Sequence, residues 1–523
     1  MISYKNLDTL KKNIFEYKHY FSIYLIFSVV SFSYFFFNGS QTHLKFELLI
    51  FSLALIIGIL NIYSYMSCNK KEEFYKVVFV IILSFGLICS CITPIGDVSD
   101  ETEHFARAEI SSEGILFPHW TGEDLGYTQS FNKTTKKYNE NVGFETIGSA
   151  YFARENNGNT ILNASGFNEP INYTSTIIIS AFEQNPFYGY LPQSIGILTA
   201  KLLDLNEMWM FLLGRIFNIL TYALLISLAI KIAPDLKMPL ALVSCIPISI
   251  YQSASFSIDA LIFGLGILTV SYFIYLYNLN GKLDYKQLMA YMLLCLLLGL
   301  CKLPYLAFSF LMLFLPKDKL DKNKILFLFL MLAFVSIAGL LWSQYAQPAL
   351  LHSWRSSNID VNSTSQLLLL MNSPIHVLEF LKQIFTQNLY DILLGFFKIY
   401  KGFDQYFVDK YFIISLLFSI FLSFTLISYP KKVKFENKTK IGAFLIMLLI
   451  YVATCFIQLL TWSAVGKMNL GIASRYFVPL CALIPIISGY SINIEERTLG
   501  NYTIVFMMIF LSITIFGLVT SYY

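Results

Sequence analysis

Lys76-Val-Val-Phe-Val-Ile-Ile-Leu-Ser-Phe-Gly-Leu-Ile-Cys-Ser-Cys91-Ile-Thr-Pro94-Ile-Gly-Asp97-Val-Ser-Asp100-Glu101-Thr-Glu103-His104-Phe-Ala-Arg107 changes character at its midpoint. No charged residue occurs between Lys76 and Asp97, a run long enough to cross the roughly 30 Å apolar core of a bilayer as a helix. From Asp97 onward the chain is dense in ionisable groups. Charges where a chain leaves the bilayer are costly to hold and usually mark a pathway or a reaction, so this junction is a candidate active site. At helical spacing Asp100, His104 and Arg107 share one face, which brings a base, a proton shuttle and a cation together. A plainer reading makes Asp100 and Glu103 a capping box and Glu103 with Arg107 an ordinary i,i+4 pair.

Composition agrees with the apolar run. Of 523 residues 56% are hydrophobic and 13% charged, with a mean hydropathy of +0.61, so an all-α polytopic integral membrane protein is expected. The first apolar run, Tyr20 to Phe37, is span-length and lacks a small-residue cleavage site, so it stays in the membrane. The cysteines at 68, 89, 91, 245, 295, 301, 455 and 481 sit in apolar runs or short linkers without a CxxC pair. Neither a disulfide framework nor a zinc site is expected from them. No internal repeat, nucleotide-binding glycine loop or zincin motif is present, and no nucleic-acid partner is implied. The net charge of +4 says less than its distribution.

Apolar runs at 20–37, 46–66, 76–95, 207–232, 238–257, 258–279, 286–301, 303–315, 325–343, 411–429, 441–462, 473–491 and 502–522 predict about 13 transmembrane helices. Lysine and arginine concentrate in the N-terminal tail and at 68–76, 316–324 and 430–440, which puts those segments in the cytoplasm. The N-terminus is then cytoplasmic, the C-terminus extracytoplasmic, and the protein a multi-pass protein of the cell membrane. Residues 286–315 are read as a hairpin of two short helices turning at Lys302, because a single span would reverse the charge bias. The organisation is two N-terminal helices (1–75), a third (76–95), an extracytoplasmic lobe (96–206), a bundle (207–343), a second extracytoplasmic loop (344–410) and C-terminal helices (411–523).

Within that topology Asp259, Lys302, Arg475 and Arg215 all face the outer leaflet. A terminal lysine or arginine can simply snorkel to the interface, and Asp259 can cap a helix, but scattered snorkelling would populate both leaflets. The lobe carries turns around Asn156-Asn157-Gly158-Asn159 and a strand-like run from Tyr173 to Ser180, so it is expected to be small and mixed α/β. Gln193 to Leu203 is too short to span and is read as an interfacial helix.

The string Asp100-Glu101-Thr-Glu-His104-Phe-Ala-Arg107-Ala with Ser111-Ser-Glu-Gly114 resembles the signature of an uncharacterised bacterial membrane-protein family, domain of unknown function 2142. Further pieces follow in family order: Tyr188-Gly-Tyr190-Leu-Pro192, Gly214-Arg215-Ile-Phe-Asn218, Pro247 to Gln252 with Ser257-Ile-Asp259, Lys302-Leu-Pro304-Tyr305, and Ser474-Arg475-Tyr476-Phe477-Val-Pro479. The resemblance spans roughly residues 76–492 and departs at Val98-Ser99 and Ser474. That family is in turn similar to C-type (GT-C) glycosyltransferases, multispan enzymes that use polyprenyl-phosphate sugars.

The resemblance implies an enzyme that moves a sugar from a lipid-linked donor at the outer leaflet to a cell-surface glycan or glycolipid acceptor. Asp100 is then the general base, with Glu101 and His104 beside it as catalytic groups. Arg107, Arg215, Asp259, Lys302 and Arg475 bind substrate, the last two at the lipid phosphate, and Tyr188, Tyr190 and Tyr476 stack on sugar rings. Whether a divalent cation (Mg or Mn) joins Asp97, Asp100 and Glu101 is left open, as are the sugar, the acceptor and the oligomeric state. Two other functions fit a polytopic chain. A flippase or transporter needs polar or broken-helix sites near the midplane, and a polysaccharide polymerase needs arginine-rich outer loops, whereas the second loop holds only Arg355.

Overall fold

The computed structural model describes residues 16–40, 42–68, 71–119, 121, 131–132, 137–138, 143–178, 180, 182, 185–351, 361–397, 411–468 and 470–523; Arg355 lies outside them. Three apolar helices open the chain, α1 (Lys18–Asn38), α2 (Leu44–Ser67) and α3 (Phe74–Ile92). In lipid every backbone polar group must find an internal partner, and a helix supplies one locally. α3 ends two residues before Pro94, as the restriction on residues preceding proline requires. The charged stretch then forms α4 (Glu101–Ser112).

Between α4 and α5 (Leu191–Leu202) lies the mixed lobe. It holds two antiparallel pairs, β1 (Phe131–Asn132) with β2 (Lys137–Tyr138) and β3 (Phe144–Ile147) with β4 (Ser175–Ile178), the latter with Phe144 opposite Ile178. β4 falls inside the strand-like run read from the sequence. α5 leaves Leu191, Ile195, Leu198 and Leu202 exposed on one face and buries Gln193, Ser194 and Ile197 on the other.

α5 packs on α6 (Glu207–Ile232), which also meets α3. The run 238–257 is not one continuous helix. It breaks into α7 (Lys237–Ser244) and α8 (Pro247–Ser253), because Pro247 forces Ile246 out of helical geometry, to ψ 131°. α9 (Asp259–Asn278) follows. Next, α10 (Tyr285–Cys301) and a 3₁₀ segment (Leu303–Phe314) form the expected hairpin. Its feet meet where Leu283 N–H donates to the Lys319 carbonyl at 2.9 Å. Seventeen α residues rise about 25 Å and twelve 3₁₀ residues about 24 Å, so the legs match. Both are shorter than the roughly 30 Å bilayer core.

The remaining helices are α11 (Lys322–Leu351), α12 (Ser363–Asn372), α13 (Pro374–Gln383), α14 (Leu389–Gly395), α15 (Phe412–Ser428), α16 (Asn437–Trp462) and α17 (Glu496–Tyr522). The run 473–491 is also not one continuous helix. Pro479 and Pro485 reduce it to a 3₁₀ turn (Ser474–Phe477) and two single helical turns. Among the described residues eight helices are long and apolar enough to cross a membrane, and α10, the 3₁₀ segment and α15 are shorter apolar companions. The thirteen expected spans therefore reduce to eleven helical runs. α17 is the innermost, with 94% of its apolar window buried. Tyr24 of α1 fastens it, its hydroxyl bonding Ser512 at 2.8 Å and the Ala54 carbonyl of α2 at 3.1 Å.

Candidate active site

The site begins at the turn between α3 and α4. Gly96 takes φ +70°, and a β-carbon there would run into the Asn157 side chain of the lobe, so only glycine fits. Ile95 and the Asn156–Asn159 turn exchange bonds, Ile95 N–H to Asn159 O at 2.9 Å and Gly158 N–H to Ile95 O at 2.7 Å. Asp100 is also left-handed, at φ 63°, a conformation aspartate tolerates better than most residues. Its carbonyl accepts from the His104 amide at 3.0 Å and starts α4, yet its carboxylate makes no capping bond. The capping-box reading of Asp100 is thereby corrected: the left-handed twist turns the carboxylate away from the helix and toward Arg475.

Glu101, the next residue, has the opposite fate. It is fully buried against Arg215, with Nε to Oε1 at 2.8 Å and Nη2 to Oε2 at 2.7 Å. Arg215 also donates to the carbonyls of Ser90 at 3.0 Å, Thr93 at 2.7 Å and Pro94 at 2.8 Å. All five guanidinium donors are thus in use, three of them on carbonyls that the end of α3 leaves without helical partners. Glu101 accepts in addition from the backbone amides of Gly96 at 3.1 Å and Phe256 at 3.2 Å. Neither residue lines the cavity onto which Asp100 opens, and the pair clamps the turn that carries Asp100.

Asp100 opens onto a cavity of about 320 Å³. Arg475 stands at its head between two carboxylates, with Nη2 3.3 Å from Asp100 Oδ2 and Nε 3.2 Å from Asp259 Oδ2. Lys302 lies 3.0 Å above the Tyr476 ring, on which Arg475 also rests at 5.2 Å. The walls are largely apolar, contributed by Ile258, Ile262, Leu303, Pro304, Trp342 and Ile457, with Asn185, Ser343, Thr454 and Gln458 as polar exceptions. Asp100, His104, Asp259, Lys302, Arg475 and Tyr476 therefore converge from four separate parts of the chain. The scaffold that holds them uses other motif residues. Asn218 donates to the carbonyls of Ser255 at 2.7 Å and Ser257 at 2.9 Å, fixing the approach to Asp259, and the Tyr305 hydroxyl donates to the Tyr476 carbonyl.

His104 lines the cavity but is almost wholly enclosed. It stacks on Phe182 at 4.2 Å, and its Nδ1 shares a hydrogen bond of 2.7 Å with the Tyr190 hydroxyl. Burial pushes its pKa down to about 3, outweighing the pull of Asp100 the other way. The ring is thus held in place by the Tyr190 hydroxyl and the Phe182 ring. Tyr190 is fully buried and also accepts from Asn185 at 2.9 Å; it faces His104, and no sugar can reach it there. Arg107 sits one turn further on, bonded to Ser111 and, at 3.0 Å, to the Leu116 carbonyl, and does not line the cavity. Tyr188 donates to the Leu297 carbonyl at 2.7 Å and braces the lobe against α10. Tyr476 does line the cavity, but Lys302 covers its ring face.

The three carboxylates considered for a metal diverge. Asp97 accepts from Tyr522 at 2.6 Å and Tyr251 at 2.9 Å, Glu101 faces Arg215, and Asp100 faces Arg475. Among the described residues no group of three or more His, Cys, Asp or Glu side chains could hold a metal ion. Sequence reasoning missed Trp342, Thr454 and Gln458. Thr454 and Gln458 are polar residues at i,i+4 in an otherwise apolar span, a signal that marks a face in contact with something polar. Tyr251 and Tyr522 carried no comparable signal.

The arrangement offers a carboxylate base, two cations and an apolar-walled slot at one end of a helix bundle. No curated protein and no solved structure matches the chain. A family model described as "Predicted membrane protein (DUF2142)" matches residues 83–484, from within α3 to within the broken 473–491 segment. The converging residues from Asp100 to Arg475 all lie inside that match, and the chain belongs to this family of membrane proteins.

Proposed function

We propose that the protein is a membrane glycosyltransferase of the GT-C type, moving a sugar from a polyprenyl-phosphate donor to a cell-surface glycan or glycolipid. The observation that carries this reading is Asp100, held 3.3 Å from Arg475 at the mouth of an apolar-walled cavity. The acceptor hydroxyl gives its proton to Asp100 as its oxygen bonds to the anomeric carbon, and the bond from that carbon to the lipid phosphate breaks. Arg475 and Lys302 stabilise the negative charge that grows on the departing phosphate. Asp259 holds the Nε edge of Arg475 and so fixes the guanidinium plane. The isoprenoid lies against Ile262, Trp342 and Ile457. No nucleotide is needed, because the donor is already activated.

The site then faces outward. Lys76, Lys237, Lys319, Lys432 and Arg497 gather at the opposite end of the bundle, where Lys432 N–H bonds Asp235 at 2.8 Å and Arg497 bonds the Cys68 carbonyl at 3.1 Å, and a basic end is retained in the cytoplasm. The test is to compare the surface glycans of cells with and without the protein and then with Asp100→Asn. An amide cannot accept the proton, and the carboxylate makes no capping bond that its loss would remove, so glycan should be lost while the protein still inserts. Unchanged surface glycan would rule out Asp100 as the base.

One observation favours a carrier instead. The break between α7 and α8 lies inside the bundle, and the fully buried Gln252 amide has no hydrogen-bond partner among the described residues. Broken helices with polar side chains are a feature of transporters. Purified protein that moves a lipid-linked sugar across proteoliposomes without forming a glycosidic bond would establish that reading.

A further inference from the structure

Pro374 to Gly395 runs as one helix through α13, a π turn (Ile384–Asn388) and α14. It belongs to the segment whose sequence reads as an extracytoplasmic loop. The helix shows three stripes. Phe380, Ile384, Asn388 and Ile392 are buried against the bundle. Ile375, Leu378, Leu381, Phe385, Leu389 and Leu393 recur every three or four residues and are all exposed. Glu379, Gln387 and Asp391 form a third, exposed polar stripe, with the Gln387 amide donating to both Asp391 oxygens at 3.1 and 3.2 Å.

Its neighbours place this helix against the membrane-spanning surface. Ser363, at the start of the preceding helix α12, donates to the Leu460 carbonyl at 2.8 Å, near the end of α16. Further along, Phe380 meets Phe456 at 6.2 Å, and the Ile384 carbonyl accepts from the Tyr451 hydroxyl. From Phe456 to Tyr451 is five residues, roughly 7.5 Å of helix rise, so the segment runs inward along α16. On its other side the Leu393 carbonyl accepts from Ser419 of α15 at 2.6 Å. The exposed apolar stripe is thus continuous with the outward faces of α15 and α16, where Leu417, Ile420, Phe444 and Leu449 are exposed.

We infer that Pro374–Gly395 is an amphipathic element seated in the membrane leaflet on the side of the site, its partner being lipid acyl chains along the Ile375–Leu393 stripe. A soluble loop would leave that much apolar surface in water, whereas a helix with one apolar and one polar stripe settles at the headgroup-to-acyl boundary. Lys382, at the edge of the apolar stripe, has a stem long enough to carry its ammonium to the headgroups. The same helix braces the site. The Asp391 carbonyl accepts from Ser474 Oγ at 3.4 Å, and Gly395 lies so close to Ser474 that a β-carbon would collide with it. Ser474 precedes Arg475, so lipid seating and the head of the cavity are mechanically joined. This inference does not depend on which reaction the site performs.

The test uses full-length protein in liposomes with a bimane label on single cysteines, at Leu378→Cys and Phe385→Cys in one stripe and Glu379→Cys and Gln387→Cys in the other. Leu445→Cys on α16 serves as the lipid-facing reference. Doxyl-lipid quenching at 378 and 385 should lie within about twofold of the reference while aqueous iodide stays weak, and 379 and 387 should show the reverse. Iodide dominating at all four positions would make the segment a loop in water and overturn the inference. So would 378 and 385 resisting both quenchers, since another protein chain would then cover the stripe. If the cysteine-free background fails to insert, a photo-crosslinking residue at the same positions in the native sequence decides by whether it captures lipid, water or protein.

Discussion

Asp100 and Glu101 are adjacent carboxylates, each paired with an arginine from elsewhere in the chain, and the two pairs are built to opposite specifications. Glu101 and Arg215 meet in two bonds of 2.7 and 2.8 Å, with no exposed surface on either side chain. Asp100 meets Arg475 at a longer 3.3 Å, with 21% of its side chain open to the cavity. Arg215 spends every donor on protein, while Arg475 stands between two carboxylates. The first pair is saturated, so it can only hold. The second lines the cavity and is open on its Asp100 side, so an incoming phosphate or hydroxyl can approach it. The same two residue types thus serve structure or chemistry according to how many of their hydrogen bonds the fold has already satisfied.

The largest effect should come from breaking the saturated pair. Glu101→Gln or Arg215→Ala leaves a buried charge without its counterpart, which costs about 3–5 kcal/mol. Detergent-solubilised variants should show a markedly lower Tm or fail to accumulate, whereas Asp100→Asn and Arg475→Ala should melt close to the parent. A Glu101→Gln protein as stable as the parent but inactive would invert the comparison and move Glu101 into the chemistry.

The sequence could not separate these two neighbours. Asp100 and Glu101 fall in one charged string, and the difference between them is a backbone twist, φ 63° at Asp100, that no propensity argument foresees. The apolar runs were legible because lipid forces long uncharged stretches into helices. The hairpin at Lys302 was legible from charge alone. The breaks within residues 238–257 and 473–491 were not legible from hydropathy, which counts side chains while Pro247, Pro479 and Pro485 act on the backbone. The amphipathic helix after Pro374 was hidden for a related reason. Its polar stripe lowers the mean hydropathy of a segment whose other exposed face is apolar, so a window average reports a loop.

A smaller effect should come from the open pair. Arg475→Lys keeps the charge but loses the planar fork, and the ammonium cannot hold Asp100 and Asp259 at once in the same geometry. In membranes supplied with a lipid-phosphate sugar, Arg475→Lys should raise the apparent donor KM by about tenfold, the scale of one charge-assisted hydrogen bond. Arg475→Ala should be nearly inactive, and acceptor dependence should barely change in either variant. Transfer at parental rates by both would make Arg475 an interfacial anchor and leave Lys302 as the phosphate group, since Arg215 is fully engaged.

The smallest effect concerns pH, and it tests whether enclosure or openness governs the residue that stands between the two pairs. His104 is held neutral by burial, with its pKa pushed down to about 3, against an ordinary value near 6.5. Between those values the unfolded chain binds a proton that the folded chain does not, so stability rises with pH across that window and is lost as pH falls from about 6.5 toward 3. His104→Gln removes the titrating group and should flatten that part of the stability profile, while above pH 7 the two proteins should differ only by the altered bond to Tyr190. Thermal melts at pH 7.5, 6 and 5 suffice. If the gap between parent and His104→Gln stays constant over that range, His104 is hydrated in solution and titrates as an open-site group. It would then serve as a proton shuttle beside Asp100, and the boundary between the structural pair and the chemical pair would move one helical turn inward.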